Sequence, residues 1–311
     1  MGFGHSHSHT EDTAAENAGH RRRLIIACGI TFSVVAAQAT GAWVTGSLAL
    51  LTDAVHSMVD GIGLLVAVIA ASLMFRAATA QRTWGYRRVE ILAGLLQAAL
   101  LLGIGTYAAV EGIQRLAEPH EILYVQLLVF GALGLIGNLI SLTVLSSGRK
   151  ANFNMRAAFL EVLADALGSV GVMTAAVVIW FTGWQQADSV AALVIAAIII
   201  PRAALLLRET GRILLEFAPR GLDLDEVRRH MLQIEHVREV HDLHASTVAT
   251  GLPVISAHVV VDESCFHDGC APEKLAELRA CVAEHFDVAV EHSTFQLETA
   301  HHAAGESHVH Q

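Results

Sequence analysis

Charged side chains are scarce in this chain. Asp, Glu, Lys and Arg make up only 16% of its 311 residues, against about a quarter in soluble globular domains. Mean hydropathy is +0.49. An ordinary soluble fold is excluded as the first reading. A basic surplus is missing too: the net charge is −10, which argues against a nucleic-acid partner. Four cysteines are too few for a disulfide scaffold. There is no Walker motif and no His-Glu-x-x-His, and Gly103-Ile104-Gly105 lies in an apolar run without the strand–turn–helix context of a nucleotide loop. Nothing calls for an organic cofactor. Histidine is frequent, with 18 residues, yet residues 24–218 hold only His56 and His120. The others lie near the two ends or between residues 230 and 292, which makes the two exceptions conspicuous.

What is abundant is apolar sequence in long runs. A membrane-crossing helix needs about 20 residues, and six stretches qualify: 24–45, 48–74, 89–113, 123–145, 157–181 and 186–207. The first is preceded by Arg21, Arg22 and Arg23 and contains Ala37-Gln38-Ala39, which has the look of a cleavable leader. The run continues past that point, so a span is the better reading. Arg76, Arg82, Arg87 and Arg88 lie between spans two and three, and Arg149, Lys150 and Arg156 between spans four and five, while the alternate loops hold only Arg115. Basic loops face the cytoplasm. Both termini are therefore expected there, in a multi-pass protein of the cytoplasmic (plasma) membrane.

From residue 219 the pattern changes. Helix is expected over 222–235 and 272–286, and β-branched strands over 237–248, 253–261 and 288–297. The expected fold is an all-α six-helix transmembrane bundle followed by a small α+β (αββαβ) cytoplasmic domain. The boundaries are 1–23 for a His-rich disordered N-terminus, 24–208 for the bundle, 209–299 for the cytoplasmic domain and 300–311 for a His-rich tail.

An ionisable residue inside the bilayer is a functional hypothesis by default. Asp53, His56 and Asp60 are spaced to share one face of the second span. Glu161 and Asp165 are spaced i, i+4 on the fifth. At about 1.5 Å per residue, Asp165 falls level with His56, and Glu161 with Asp60, if the two spans run antiparallel. One imidazole and three carboxylates then meet near the midplane, with Asp53 as an accessory. Adjacent carboxylates stay ionised only beside a cation. Four N/O ligands suit Zn²⁺, and a carboxylate-rich set also accepts Mn²⁺ or Fe²⁺. A polar packing cluster and a metal-free proton relay remain as other readings. Glu90, Glu111 and Asp188 read as interfacial charges. Gly131, Gly134 and Gly137 read as sites of close helix approach.

At this point the residues resemble a known family. The run from Gly46 to Asp60, Gly-Ser-Leu-Ala-Leu-Leu-Thr-Asp-Ala-Val-His-Ser-Met-Val-Asp, is similar to the second-helix signature of the cation diffusion facilitators. Tyr86-Arg87-Arg88-Val89-Glu90 and Leu167-Gly168-Ser169-Val170-Gly171-Val172 resemble segments of that family's third and fifth helices. Val240-His241-Asp242-Leu243-His244, Ser256-Ala257-His258-Val259 and the segment from His292 to Glu298 resemble its cytoplasmic strands. The resemblance implies no enzyme but a proton-coupled exporter of divalent metal, Zn²⁺ first, with Cd²⁺, Co²⁺, Ni²⁺, Fe²⁺ or Mn²⁺ as other cargo. It implies that His56, Asp60, Glu161 and Asp165 form the transport site. It implies a homodimer in membrane lipid, with His241, His258, His292 and Glu298 as ligands of a metal-sensing cytoplasmic site.

Two departures stand out. Glu161 occupies a place where the family's zinc exporters usually have His, and the loop from Arg76 to Arg88 has neither Asp nor His, so a site found there in some members is expected to be missing. The His-rich ends either collect metal or are solvated tails. Cys265-Phe266-His267-Asp268-Gly269-Cys270 reads either as a reduced surface loop or as a metal chelate, and Cys28 and Cys281 as packing residues. Two further function classes stay open. A metal-responsive membrane sensor or scaffold would not need the paired intramembrane ligands, and an intramembrane metallohydrolase would need an open coordination position and a base.

Overall fold

The computed structural model describes residues 8–74, 78–146, 153–286 and 288–305. Its apolar runs are helices in chain order: α1 (Ser8–Thr45), α2 (Leu48–Met74), α3 (Arg88–Ala117), α4 (Tyr124–Ser146), α5 (Phe153–Thr182) and α6 (Gln186–Leu214). Among the described residues, five helical stretches are long and apolar enough to cross a bilayer: Ile25–Thr45, Arg88–Ala117, Tyr124–Ser146, Ala158–Thr182 and Gln186–Leu214. The expected sixth is α2, a helix of 27 residues. Leu96, Ile113, Leu167 and Ile198 point apolar side chains outward, as lipid-facing helices do. The chain is a multi-pass integral membrane protein.

Two compact units form: Met1–Ile69 with Ala93–Leu207, and Ala70–Leu92 with Arg208–Gln311. In the first, α4 packs against α1 and α5. Its glycines allow this. A Cβ at Gly131 would sit 3.0 Å from Met173 Cγ, one at Gly134 would sit 2.6 Å from Gln38 Nε2, and one at Gly137 would run into Val34. Helices in lipid associate by close packing and interhelical hydrogen bonds. Leu50, Leu101, Leu127, Val172 and Ile179 fill the apolar core of this unit.

The second unit contains α7 (Leu224–Met231), β1 (Val237–Ala249), β2 (Leu252–Val261), α8 (Ser264–His267), α9 (Ala271–Glu284), β3 (His292–Glu298) and α10 (Ala300–Ala303). The sheet order is β1-β2-β3. β1 and β2 are antiparallel and joined through Gly251 at φ 72°. β3 lies parallel to β2, a pairing that needs a crossover, which α9 supplies. Asp223 caps α7, accepting from the backbone N–H of Asp225 and Glu226. Val227 and Met231 of α7 and Leu278 and Val282 of α9 join Val240, Ala257, Val259 and Phe295 in one core. The αββαβ order holds, with the short α8 and α10 added.

Several expectations need correction. Part of the N-terminal stretch expected to be disordered is helix, because α1 begins at Ser8. Extending an existing helix through an Ala-rich segment avoids the nucleation penalty. Residues 1–7 and 306–311 lie outside the described residues, and the tail stretch 300–311 opens with α10. The third strand begins at His292, four residues later than expected. Val254 pairs with His292, and the residues before His292 leave the ladder. Val290 instead turns inward, its N–H donating to Val282 O at 3.0 Å. Cys265 and Cys270 form a disulfide, neither a reduced loop nor a chelate, because the α8 turn brings their Cα atoms to 4.7 Å. Cys281 is buried and Cys28 half-buried, consistent with packing.

Candidate metal centres

The start of α2 is fixed by a carboxylate from another helix. Asp188, in the first turn of α6, is only 1% exposed. Its Oδ2 accepts from the N–H of Leu48 at 2.7 Å and of Ala49 at 3.4 Å, and its Oδ1 accepts from the Ser47 hydroxyl. An N-terminal helix turn has unpaired N–H groups and favours negative charge. Asp188 is thus a buried cap and not the interfacial charge expected. Glu111 is engaged by Arg115 at 2.8 Å, and Glu90 accepts from Thr250 at 3.2 Å.

Further along α2 the expected acidic face divides into two groups. Asp53 Oδ2 accepts from Gln38 Nε2 at 2.7 Å and from Ser169 Oγ at 3.2 Å. Asn138 Nδ2 reaches the same Ser169 hydroxyl at 3.5 Å. Gly168 lies so close to Asp53 that a Cβ there would strike the carboxylate. Asp53 therefore ties α1, α2 and α5 together and is not among the side chains whose N/O atoms gather within 4.8 Å of one another.

His56, Asp60 and Asp165 form the other group. Each offers a ligand atom, and these atoms lie within 4.8 Å of one another. The three residues are 8%, 5% and 2% exposed. His56 Nε2 stands 3.5 Å from Asp60 Oδ2, and Gln97 Nε2 donates to Asp60 Oδ1 at 3.2 Å. His56 Nδ1, Asp60 Oδ2 and Asp165 Oδ1 are buried without a hydrogen-bond partner. Leaving such groups unsatisfied costs roughly 1–3 kcal/mol each. A cation held among them would remove that penalty and offset the adjacent carboxylates. Glu161, one turn before Asp165 on α5, is half-buried and is not among these three. α2 and α5 bring three of the four expected side chains together.

A second cluster forms on the sheet. His241 faces His258 across β1 and β2, their ring centroids 5.2 Å apart. Glu298 Oε1 is 2.5 Å from His241 Nε2, and its Oε2 is 3.8 Å from His258 Nδ1. These three also offer ligand atoms within 4.8 Å of one another. A bulge after His241, with Asp242 at φ 49°, accompanies this arrangement; bulges re-aim strand side chains. His292 does not join. It pairs with Val254, four residues from His258 along β2, or about 13 Å at strand rise, and its ring meets Trp84 edge-on at 4.8 Å. The place opposite His258 belongs to Gln296, whose Nε2 donates to Glu298 Oε2 at 3.3 Å.

His236 and His244 are engaged elsewhere, with Asp262 at 3.0 Å and Asp242 at 2.9 Å. Asp262 also accepts from Arg238, and these hydrogen bonds, Arg238 first and His236 second, hold its carboxyl below the usual range.

Gln38, Gln97, Ser169 and Gln296 were missed from sequence. The first three are polar residues in apolar helices, a signal open to the intramembrane rule had it been extended to neutral groups. The Ala-Gln-Ala segment that resembles a cleavage site is there for Gln38, the partner of Asp53.

Comparison with known proteins follows the same division. A family model described as the cation efflux transmembrane domain matches residues 24–215, and one described as the cation efflux protein cytoplasmic domain matches 219–300. The metal cation efflux system protein CzcD of Cupriavidus metallidurans is 39% identical over 300 residues, covering 96% of this chain and 91% of that protein. The zinc transporter ZitB of Escherichia coli is 35% identical over 296 residues, covering 94% and 92%. A cadmium, cobalt and zinc/H(+)-K(+) antiporter of Bacillus subtilis is 33% identical over 298 residues, covering 95% and 93%.

Proposed function

The chain belongs to the cation efflux family, the cation diffusion facilitators, and on that premise we propose that it exports divalent metal cations from the cytoplasm in exchange for protons. The family and these relatives are transporters, not enzymes. One observation carries the reading to this chain: the His56–Asp60–Asp165 cluster, buried in apolar helices with an unpartnered polar atom on each member.

In this reading α2 is the sixth span and both termini are cytoplasmic, supported by the one-sided distribution of Arg and Lys in the loops. His56, Asp60 and Asp165 hold the ion, and Glu161 completes the shell from the adjacent turn of α5. Metal displaces protons from its ligands on loading, and protons arriving from the opposite side displace it on release. Moving two positive charges outward against 100 mV costs about 4.6 kcal/mol, twice the single-charge value, and inward proton flow offsets it. Zn²⁺ is the first cargo, supported by the imidazole in the set and by the names of the relatives, which include zinc, cadmium and cobalt. The His241–His258–Glu298 cluster is the regulatory metal site of a homodimer in the plasma membrane.

The test is Zn²⁺ uptake into everted vesicles under an imposed pH gradient. Wild type takes up metal and Asp60→Ala does not. Uptake by Asp60→Ala at the wild-type rate would remove the basis of the reading.

A further inference from the structure

A cation of the protein itself stands beside the intramembrane cluster. Arg202 lies in α6, inside an apolar span, where an Arg costs at least a few kcal/mol and needs a reason. The hydrogen bonds from Leu48 and Ala49 to Asp188 set the starts of α2 and α6 at the same level. Counting from there at 1.5 Å per residue, Asp60 is about 18 Å along α2 and Arg202 about 21 Å along α6, less than one turn apart. Helical side chains lean toward their helix N-terminus, so the long Arg202 side chain leans back to the level of the cluster. Arg202, His56 and Asp53 line one cavity of about 400 Å³. Among the described residues Arg202 forms no ion pair with His56 or Glu161.

We propose that Arg202 is the tethered counter-charge of the transport site, a residue that sets how tightly the site holds its cargo. The inference rests on the transport reading for the identity of that cargo. Asp60, Glu161 and Asp165 carry three negative charges when ionised, and a divalent ion cancels two. One negative charge would remain in the apolar helices and bind the ion too firmly for release. Arg202 cancels it through space without occupying a ligand position. In the metal-free site the same guanidinium partly offsets the carboxylates that the departing ion leaves behind.

The direct measurement is equilibrium Zn²⁺ binding to the purified full-length protein, in a His258→Ala background so that the sheet cluster does not contribute. Arg202→Gln should bind Zn²⁺ more tightly, by roughly tenfold or more, because removing a nearby positive charge favours a dication. Arg202→Lys should stay near wild type. Glu161→Gln/Arg202→Gln, which restores charge balance, should return toward wild-type affinity. Unchanged affinity in Arg202→Gln, or a lysine variant altered as much as the glutamine one, would overturn the proposal and leave Arg202 as a residue that merely reaches the membrane surface. Transport in proteoliposomes is scored separately. Arg202→Gln should lower KM and kcat together. Failure of the wild type itself to move Zn²⁺ would count against the transport reading, while the binding series would still decide the role of Arg202.

Discussion

Replacing Asp188 tests whether α2 is held by a buried carboxylate. In Asp188→Ala, the N–H of Leu48 and the Ser47 hydroxyl lose a charged acceptor, and the N–H of Ala49 loses a longer contact. Hydrogen bonds to charged groups contribute roughly 1.5–3 kcal/mol each, and a buried donor left unpaired costs a similar amount. Two close donors give an expected loss of about 3–5 kcal/mol, above the roughly 0.5–2 kcal/mol of ordinary helix caps because the site is buried. Asp188→Asn keeps one acceptor oxygen without the charge and should lose about 1–3 kcal/mol. Unfolding in mixed micelles, followed by tryptophan fluorescence, would measure both, with the order wild type, Asn, Ala. Zn²⁺ binding should weaken in the same order, because α2 carries His56 and Asp60. A loss in Asp188→Ala below about 0.5 kcal/mol, the range of ordinary surface changes, would refute the cap and restore the picture of an interfacial charge.

Two further comparisons separate neighbouring residues by role. Asp53→Asn should lower stability by loosening the contacts with Gln38 and Ser169 while Zn²⁺ affinity stays within about threefold, whereas Asp165→Ala should lose the intramembrane site, by about 100-fold or more for a charged ligand; equal effects on affinity would contradict the division of the acidic face. His258→Ala should abolish Zn²⁺ binding at the sheet cluster and His292→Ala should leave it unchanged, as counted by equilibrium dialysis, and a lost equivalent in His292→Ala would place that residue back among the ligands.

Much of this protein was legible because its strongest signals are local. Runs of apolar residues longer than a soluble helix needs placed the starts of the five candidate spans to within about one residue, since lipid tolerates no unpaired backbone. The spacings of Asp53, His56 and Asp60, and of Glu161 and Asp165, placed the ionisable groups by helical periodicity alone. The disulfide was less accessible, because a separation of five residues in sequence says nothing of whether two sulfurs meet. His292 shows the same difficulty in a strand. Its type suited a ligand, but pairing register decides which residue stands opposite His258, and register is a relation between two strands that residue type does not state.

The sequence alone determined that this chain crosses the membrane several times, carries acids and one histidine within its apolar helices, and ends in a mixed domain. These follow from hydrophobicity and periodicity, which each segment carries independently of its neighbours. Only the tertiary structure decided that Asp53 serves packing while His56, Asp60 and Asp165 converge, that Asp188 anchors α2, and that Gln296 and not His292 borders the sheet cluster. Those outcomes depend on how one helix or strand is rotated and shifted against another, a relation held in the contact between them and in neither segment by itself.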